Sequence, residues 1–287
     1  MNNKITINIQ IQLYELTKKK FSKNYINTFI LPIIDYIISS KKTKFLIAGS
    51  QGIGKSTLIK ILSYNIEKFF NKKVLSLSLD DYYFSKNKRL QLSKISHNLF
   101  RTRGVPGTHD IKKLKRNIND FDKSNYPIFV PIFDKLIDDL SKKNRKEKTK
   151  KDILILEGWC CACPPLEKKY LNKDINQLEK LEDKKGIWRK EINKNFYNEY
   201  KKLFNMFDNI IYLKAPSFKF ILNWKLKQEK MNISNNKNKV RLNKKEMFYF
   251  ISHYEKITKW MIKKMPRIAN LSININKKQE IIKIKIN

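Results

Sequence analysis

A chain of 287 residues is long enough to bury a substantial core and exceeds a typical single domain only modestly, so one α/β domain with additions is expected. Its formal net charge of +36 would ordinarily raise nucleic acid or an anionic membrane as a partner, yet only eight of its 62 basic residues are arginine, whose planar fork suits polymer phosphates. The many lysines accompany many Asn and Ile residues, all with A/T-rich codons, so the charge is read as a solvated surface and nucleic acid is not expected as a partner.

The opening residues, MNNKITINIQ, are too polar for an export signal. The longest apolar run, 29–38, holds Pro32 and Asp35 and falls far short of the ~20 residues that cross a bilayer. A soluble, cytoplasmic chain without a membrane partner is expected, and no pattern sets an oligomeric state. Leu13, Leu16, Phe21, Tyr25, Phe29, Ile33 and Ile37 recur at helical spacing, which predicts helices between 11 and 40 that serve as scaffold. They form an N-terminal extension, 1–43, ahead of a main domain, 44–287.

That domain opens on KFLIAGSQGIGKSTL at 44–58. Gly49, Gly52, Gly54, Lys55 and Ser56 fit G-x-x-x-x-G-K-[ST], with an apolar strand before and a helical pattern, 58–69, after. In such a loop the backbone N–H groups of Gly49, Ser50, Gln51, Gly52, Ile53, Gly54, Lys55, Ser56 and Thr57 curl around phosphate oxygens, and the following helix adds its positive end. Lys55 is expected on the β- and γ-phosphates and Ser56 on Mg²⁺. The spacing predicts binding of a nucleoside triphosphate.

A second strand, 74–79, runs into Asp80 and Asp81, and 86–100 reads as a helix. RTRGVPGTHD, 101–110, is a turn-rich loop bearing Arg103, His109 and Asp110, followed by a helical pattern at 111–121. Two prolines make 126–136 extended. Residues 137–152 are almost purely polar, which predicts a mobile surface loop. The apolar run 153–156 ends in Glu157, as a strand buried on both faces of a parallel sheet would. Cys160, Cys161 and Cys163 are too crowded for a disulfide framework, far in sequence from any histidine, and are expected as buried small hydrophobes. Helices are expected at 168–182 and 188–207, a strand at 209–213, and a helix from Ser217 toward Met231 before a loop at 232–239. A helix at 244–264 and a strand at 271–274 complete the pattern.

Alternating strands and helices predict an α/β fold, a P-loop NTPase-type parallel sheet with helices on both faces. Ligands in such sheets bind beyond the carboxyl ends of the strands, where Gly49, Asp80 and Glu157 all fall. Phosphoryl transfer needs a phosphate cradle, a metal and a residue to take the proton of the attacking hydroxyl. Glu157 suits the metal role, directly or through water, and Asp80 or Asp81 the base.

The chain-long order of GSQGIGKST, SLDDYY, RGVPGTHD, VPIFDK, ILEGW and NWKLKQE, over about residues 45–265, resembles the D-glycerate 3-kinases, relatives of uridine kinase, pantothenate kinase and phosphoribulokinase. The resemblance implies transfer of the γ-phosphate of ATP, with Mg²⁺, to glycerate. It implies Asp80 as base and Glu157 as the metal-side glutamate, and Lys55, placed on the phosphates by the loop motif, is the second catalytic residue expected. It places Arg103, His109, Asp110, Asp134 and Lys135 on the acceptor and Lys225 in a lid. The chain departs from the family's pattern where Leu136 and IDDLSKKNR replace a Ser and a glycine-rich Gly-Asp-Arg stretch, and where Lys225 follows Trp224 in place of Arg. Another small-molecule P-loop kinase, and a nucleic-acid-associated NTP-binding protein, are the alternative readings.

Overall fold

The computed structural model of the chain describes residues 2–234 and 243–287. Among the described residues ten strands follow in chain order: β1 (Lys44–Gly49), β2 (Val74–Ser78), β3 (Ile128–Val130), β4 (Phe133–Asp134), β5 (Asp139–Leu140), β6 (Arg145–Glu147), β7 (Ile153–Gly158), β8 (Asn209–Lys214), β9 (Leu271–Ile275) and β10 (Ile281–Ile286). Six form the main sheet in the order β10-β9-β8-β1-β7-β2. All neighbours in it are parallel except the edge strand β10, which returns antiparallel along β9. The expected parallel α/β sheet is therefore present, with β10 an addition.

The period-2 alternation of side chains divides the core between the two sheet faces. Leu46, Ala48, Leu154 and Leu156 face a cluster completed by Leu114, Ile118, Trp188, Phe196 and Tyr254 from the helices Ile111–Asp122 and Lys244–Lys264 and from the helical stretch 187–204. Phe45, Ile47, Ile155 and Ile211 face the other cluster, with Leu58 and Ile61 of the helix Lys55–Phe70 and with Ile5, Ile9 and Ile33 of the N-terminal helices. Each Leu, Ile or Phe among them contributes roughly 1.5–3 kcal/mol when fully buried. No described helix is long and apolar enough to cross a membrane. All three cysteines are free and buried, as expected of small hydrophobes.

Several boundaries differ from expectation, each for a physical reason. The first helix, Asn2–Thr17, begins well before the expected start because Ile5 and Ile9 are core residues at the same spacing as Leu13. The stretch 188–207 is the helix Ile187–Asn195, a π-helical turn Phe196–Tyr200 and the short helix Lys201–Phe204. The stretch 137–152 is no plain surface loop. It carries β5, which pairs with β4, and β6, which pairs with β3, so ion pairs and backbone bonds order a segment without a core of its own. The loop expected at 232–239 overlaps the end of the helix Lys219–Ser234 and otherwise lies outside the described residues.

Candidate functional site

The phosphate loop leaves β1 at Gly49 and enters the helix Lys55–Phe70. Gly52 has φ +71°, a left-handed conformation that side chains strain, and a Cβ there would stand 3.0 Å from Trp224 Cβ. Lys55 Nζ folds back to donate to Gly49 O at 2.8 Å and Ser50 O at 3.2 Å, and lies 3.9 Å from Glu157 Oε2. The lysine thus spans the loop it belongs to.

Sheet register sets the second wall. Ser78 of β2 lies opposite Glu157 of β7, and Ser78 Oγ donates to Glu157 Oε1 at 2.7 Å. Beyond Ser78 the chain tightens into a 3₁₀ turn, Leu79–Tyr82, pinned by buried Leu79 and Tyr82. That turn carries Asp80, whose Oδ1 accepts from the Tyr83 hydroxyl at 2.8 Å and whose Oδ2 accepts from Lys135 Nζ at 2.6 Å. Burial alone would raise the Asp80 pKa, but the Lys135 ammonium and the Tyr83 hydroxyl outweigh it and hold the carboxyl well below the usual range. For Asp81 burial, helped by the neighbouring Asp80 charge, outweighs the bond from Phe133 N and the more weakly acting Arg145 and Lys135, and lifts it to about 6. Of the two carboxylates, Asp80 is the one kept ionised beside the cradle.

The loop after the short helix Asn98–Arg101 brings Arg103 to the same place. Gly104 has φ +124°, and a Cβ on it would stand 2.3 Å from the Tyr254 hydroxyl, so only glycine lets the last long helix pack this close. Tyr254 donates to Arg103 O at 2.8 Å and Trp159 Nε1 to Gly104 O at 2.8 Å. Two bulky side chains from distant segments thereby fix the backbone under the guanidinium.

One cavity of about 340 Å³ joins these groups, within the size range of small-molecule sites. Residues 51–57 line it, whereas Gly49 and Ser50 lie outside the lining and meet the site through their carbonyls, which accept from Lys55 Nζ. Asp80, Tyr83, Arg103, Lys135, Glu157 and Tyr254 line one part, and Lys225 also reaches the wall. Leu13, Leu16, Phe21, Tyr25 and Ile281 line an apolar part. The N-terminal helices are therefore more than scaffold: Tyr25 accepts from Ile281 N at 2.7 Å, and Lys19 Nζ donates to Lys278 O at 2.5 Å, closing that wall.

Three expected acceptor residues lie outside the lining. His109 is 3% exposed, with its ring 4.5 Å from that of Tyr83 and Nδ1 2.5 Å from the Tyr200 hydroxyl, and burial pushes it down to about 3. Asp110 caps the helix Ile111–Asp122 by accepting from Lys113 N at 2.9 Å. Asp134 accepts from Leu136 N at 2.8 Å and shapes the turn after β4. Sequence reasoning passed over Tyr83, Trp159 and Tyr254 as site residues. The first two adjoin Asp80 and Glu157 in the quoted motifs, whereas Tyr254 carries no signal beyond its helical spacing.

Hard oxygen donors suit Mg²⁺, and Glu157 and Ser56, which line the same cavity, offer a carboxylate and a hydroxyl. Among the described residues no group of three or more His, Cys, Asp or Glu side chains forms a metal cage. Such a donor set fits an ion held by one carboxylate together with nucleotide phosphates.

No family model matches the chain. It is 29% identical over 225 residues to "Uncharacterized kinase mug58" of Schizosaccharomyces pombe, covering 72% of this chain and 76% of that one. It is 34% identical over 141 residues to "Probable ATP-dependent kinase TDA10" of Saccharomyces cerevisiae, a match spanning 45% of this chain and about half, 49%, of the yeast protein. Its fold superposes on D-glycerate 3-kinase from Cryptococcus neoformans var. grubii with a TM-score of 0.72 and 23% identity, covering 91% of this chain and 97% of that one. The chain has the P-loop kinase fold. These likenesses are consistent with the family that the motifs resemble, and with the cradle they support an ATP-dependent phosphotransferase. In P-loop kinase terms, β1, β2 and β7 supply the three strand ends on which the site is built.

Proposed function

We propose that this P-loop kinase transfers the γ-phosphate of Mg-ATP to the 3-hydroxyl of D-glycerate, giving 3-phosphoglycerate and ADP. The observation that carries the reading is the joint placement of Asp80 and Arg103 in one cavity with the phosphate-loop residue Lys55. A three-carbon hydroxy acid needs a cationic fork for its carboxylate and an anion at its reacting hydroxyl, and Arg103 and Asp80 are of those types.

In this reading the acceptor hydroxyl lies against Asp80 and attacks the γ-phosphorus. The new P–O bond forms as the bond to the β–γ bridging oxygen breaks, and the hydroxyl proton passes to Asp80. A carboxylate has room for about four hydrogen bonds, so the hydroxyl can join Tyr83 and Lys135 on Asp80. The low basicity of Asp80 suits a loose transition state, in which orienting the hydroxyl matters more than early deprotonation. Lys55 steadies the β- and γ-phosphates, and the apolar wall of Leu16, Phe21 and Tyr25 suits the nucleobase. When bound at Ser56 and Glu157, Mg²⁺ would neutralise charge that develops on the phosphates.

The test is coupled ADP release from purified protein with Mg-ATP and a panel of D-glycerate, uridine, pantothenate and ribulose 5-phosphate. Preferred turnover of D-glycerate is expected. Preference for any of the other three would overturn the acceptor assignment.

A further inference from the structure

β4 and β5 pair with Phe133 opposite Leu140 and Asp134 opposite Asp139, so residues 135–138 form the tip of a hairpin. The tip turns inward. Lys135 meets Asp80, and Asp138 Oδ1 accepts from Arg103 Nη1. Asp138 has φ 56°, a left-handed conformation, and is gripped from behind. Arg89 Nη2 donates to Asp138 O at 2.6 Å and to Asp138 Oδ2 at 3.0 Å.

Arg89 is itself buried and held: it is 1% exposed, and its Nε and Nη1 donate to Phe84 O at 3.1 Å and Arg101 O at 3.0 Å. Lys86 N adds a bond to Asp139 Oδ1 at 3.0 Å. Asp138 is therefore clamped, with one carboxylate oxygen left for Arg103. Among the described residues Asp138 is the only hydrogen-bond partner of the Arg103 guanidinium, which also lies 5.5 Å from the Phe133 ring centroid and 5.8 Å from that of Phe250.

A guanidinium can grip a carboxylate with two parallel N–H bonds along either its Nη1–Nη2 edge or its Nε–Nη2 edge. With Nη1 committed, the Nε–Nη2 edge remains for a ligand in the cavity that Arg103 lines. We infer that Asp138, clamped by Arg89, is a positioning residue that fixes Arg103 through Nη1 so that its Nε–Nη2 edge meets the carboxylate of a hydroxy-acid acceptor. The inference rests on the acceptor reading above. It also gives a role to a hairpin whose sequence, DKLIDDL, departs from the family's pattern.

The test compares Asp138→Gly, which the left-handed backbone tolerates, with Asp138→Asn, using Mg-ATP and either D-glycerate or pantothenate, whichever the wild type turns over. Glycine releases the guanidinium, so the acceptor KM rises roughly five- to tenfold while kcat and the KM for ATP stay within about twofold, the signature of a lost ordering term. Asparagine keeps one acceptor oxygen for Nη1 but turns its NH2 toward Arg89, which still holds Asp138 O, so it recovers part of that loss. In an Arg103→Met background Asp138→Gly moves the acceptor KM no further, as a residue acting through Arg103 requires. An unchanged or lower acceptor KM in Asp138→Gly overturns the inference, the lower value marking Asp138 as a repulsive charge. A wild type that turns over no carboxylate-bearing acceptor overturns it together with the acceptor reading, and that failure shows before any variant is made.

Discussion

Lys135 Nζ lies 2.6 Å from Asp80 Oδ2, while the Tyr83 hydroxyl holds Asp80 Oδ1 at 2.8 Å. The carboxylate is thereby oriented by two donors from different loops and kept ionised. Asp80→Asn preserves shape but removes the charge that draws the hydroxyl proton. Its kcat should fall roughly 10²-fold or more with the KM for ATP little changed, because general-base catalysis contributes typically 10²–10⁴. Steady-state kinetics check this, and a variant whose main defect is nucleotide or metal affinity would exchange the roles of Asp80 and Glu157.

Lys55→Ala should abolish ATP-dependent phosphorylation and leave the fold intact. Lys55 Nζ makes its hydrogen bonds to carbonyls of its own loop, Gly49 O and Ser50 O, rather than across the core. Circular dichroism should be unchanged while ADP release vanishes. Full activity in the variant would remove the phosphate-loop assignment.

Glu157→Gln should raise the Mg²⁺ concentration needed for half-maximal rate while sparing the saturated rate more than Asp80→Asn does. The amide oxygen can still accept from Ser78, so the wall between β2 and β7 stays in place. What is lost is the charge facing the cation. A Mg²⁺ titration of initial rate gives the answer, and an unaltered midpoint would remove Glu157 from the metal side.

The phosphate side of this site was legible because its signals are local. Apolar runs at 45–48 and 153–156 mark strands buried on both faces, and the residues at their ends fall where a parallel sheet places its ligands. The acceptor side depends on contacts between distant segments. Nothing in the local pattern says that Tyr254 reaches Arg103 O, or that the polar stretch after Asp134 folds back so that Asp138 meets Arg89 and Arg103. Asp110 shows the converse: its place in a suggestive motif pointed to substrate, yet an Asp directly before a helical pattern is also a cap, and the cap is what the structure contains. β10 escaped because it is a single antiparallel edge strand with most of its residues outside the core.

His109 links the site to acid stability. Its ring is buried between Tyr83 and Tyr200, its Nε2 has no hydrogen-bond partner among the described residues, and burial pushes its pKa to about 3 from an ordinary value near 6.5. The folded state therefore keeps His109 neutral where the unfolded chain protonates it. The unfolded state binds more protons between about pH 6.5 and 3, so this contribution is complete above 6.5 and is lost as pH falls through that window. The slope is about 1.4 kcal/mol per pH unit for one such group. His253, pushed down to about 4 by burial, adds a second contribution of the same sign. Raising the pH above 7 should recover nothing further from either group. Urea denaturation at a series of pH values between 7.5 and 4.5 should show stability falling with acid in the wild type. His109→Gln should be less stable at neutral pH, through loss of the Tyr83 and Tyr200 contacts, but should have a shallower slope by about one protonation. Equal slopes in the two proteins would mean that His109 is protonated in the folded state, and that its place behind Tyr83 is charged rather than neutral.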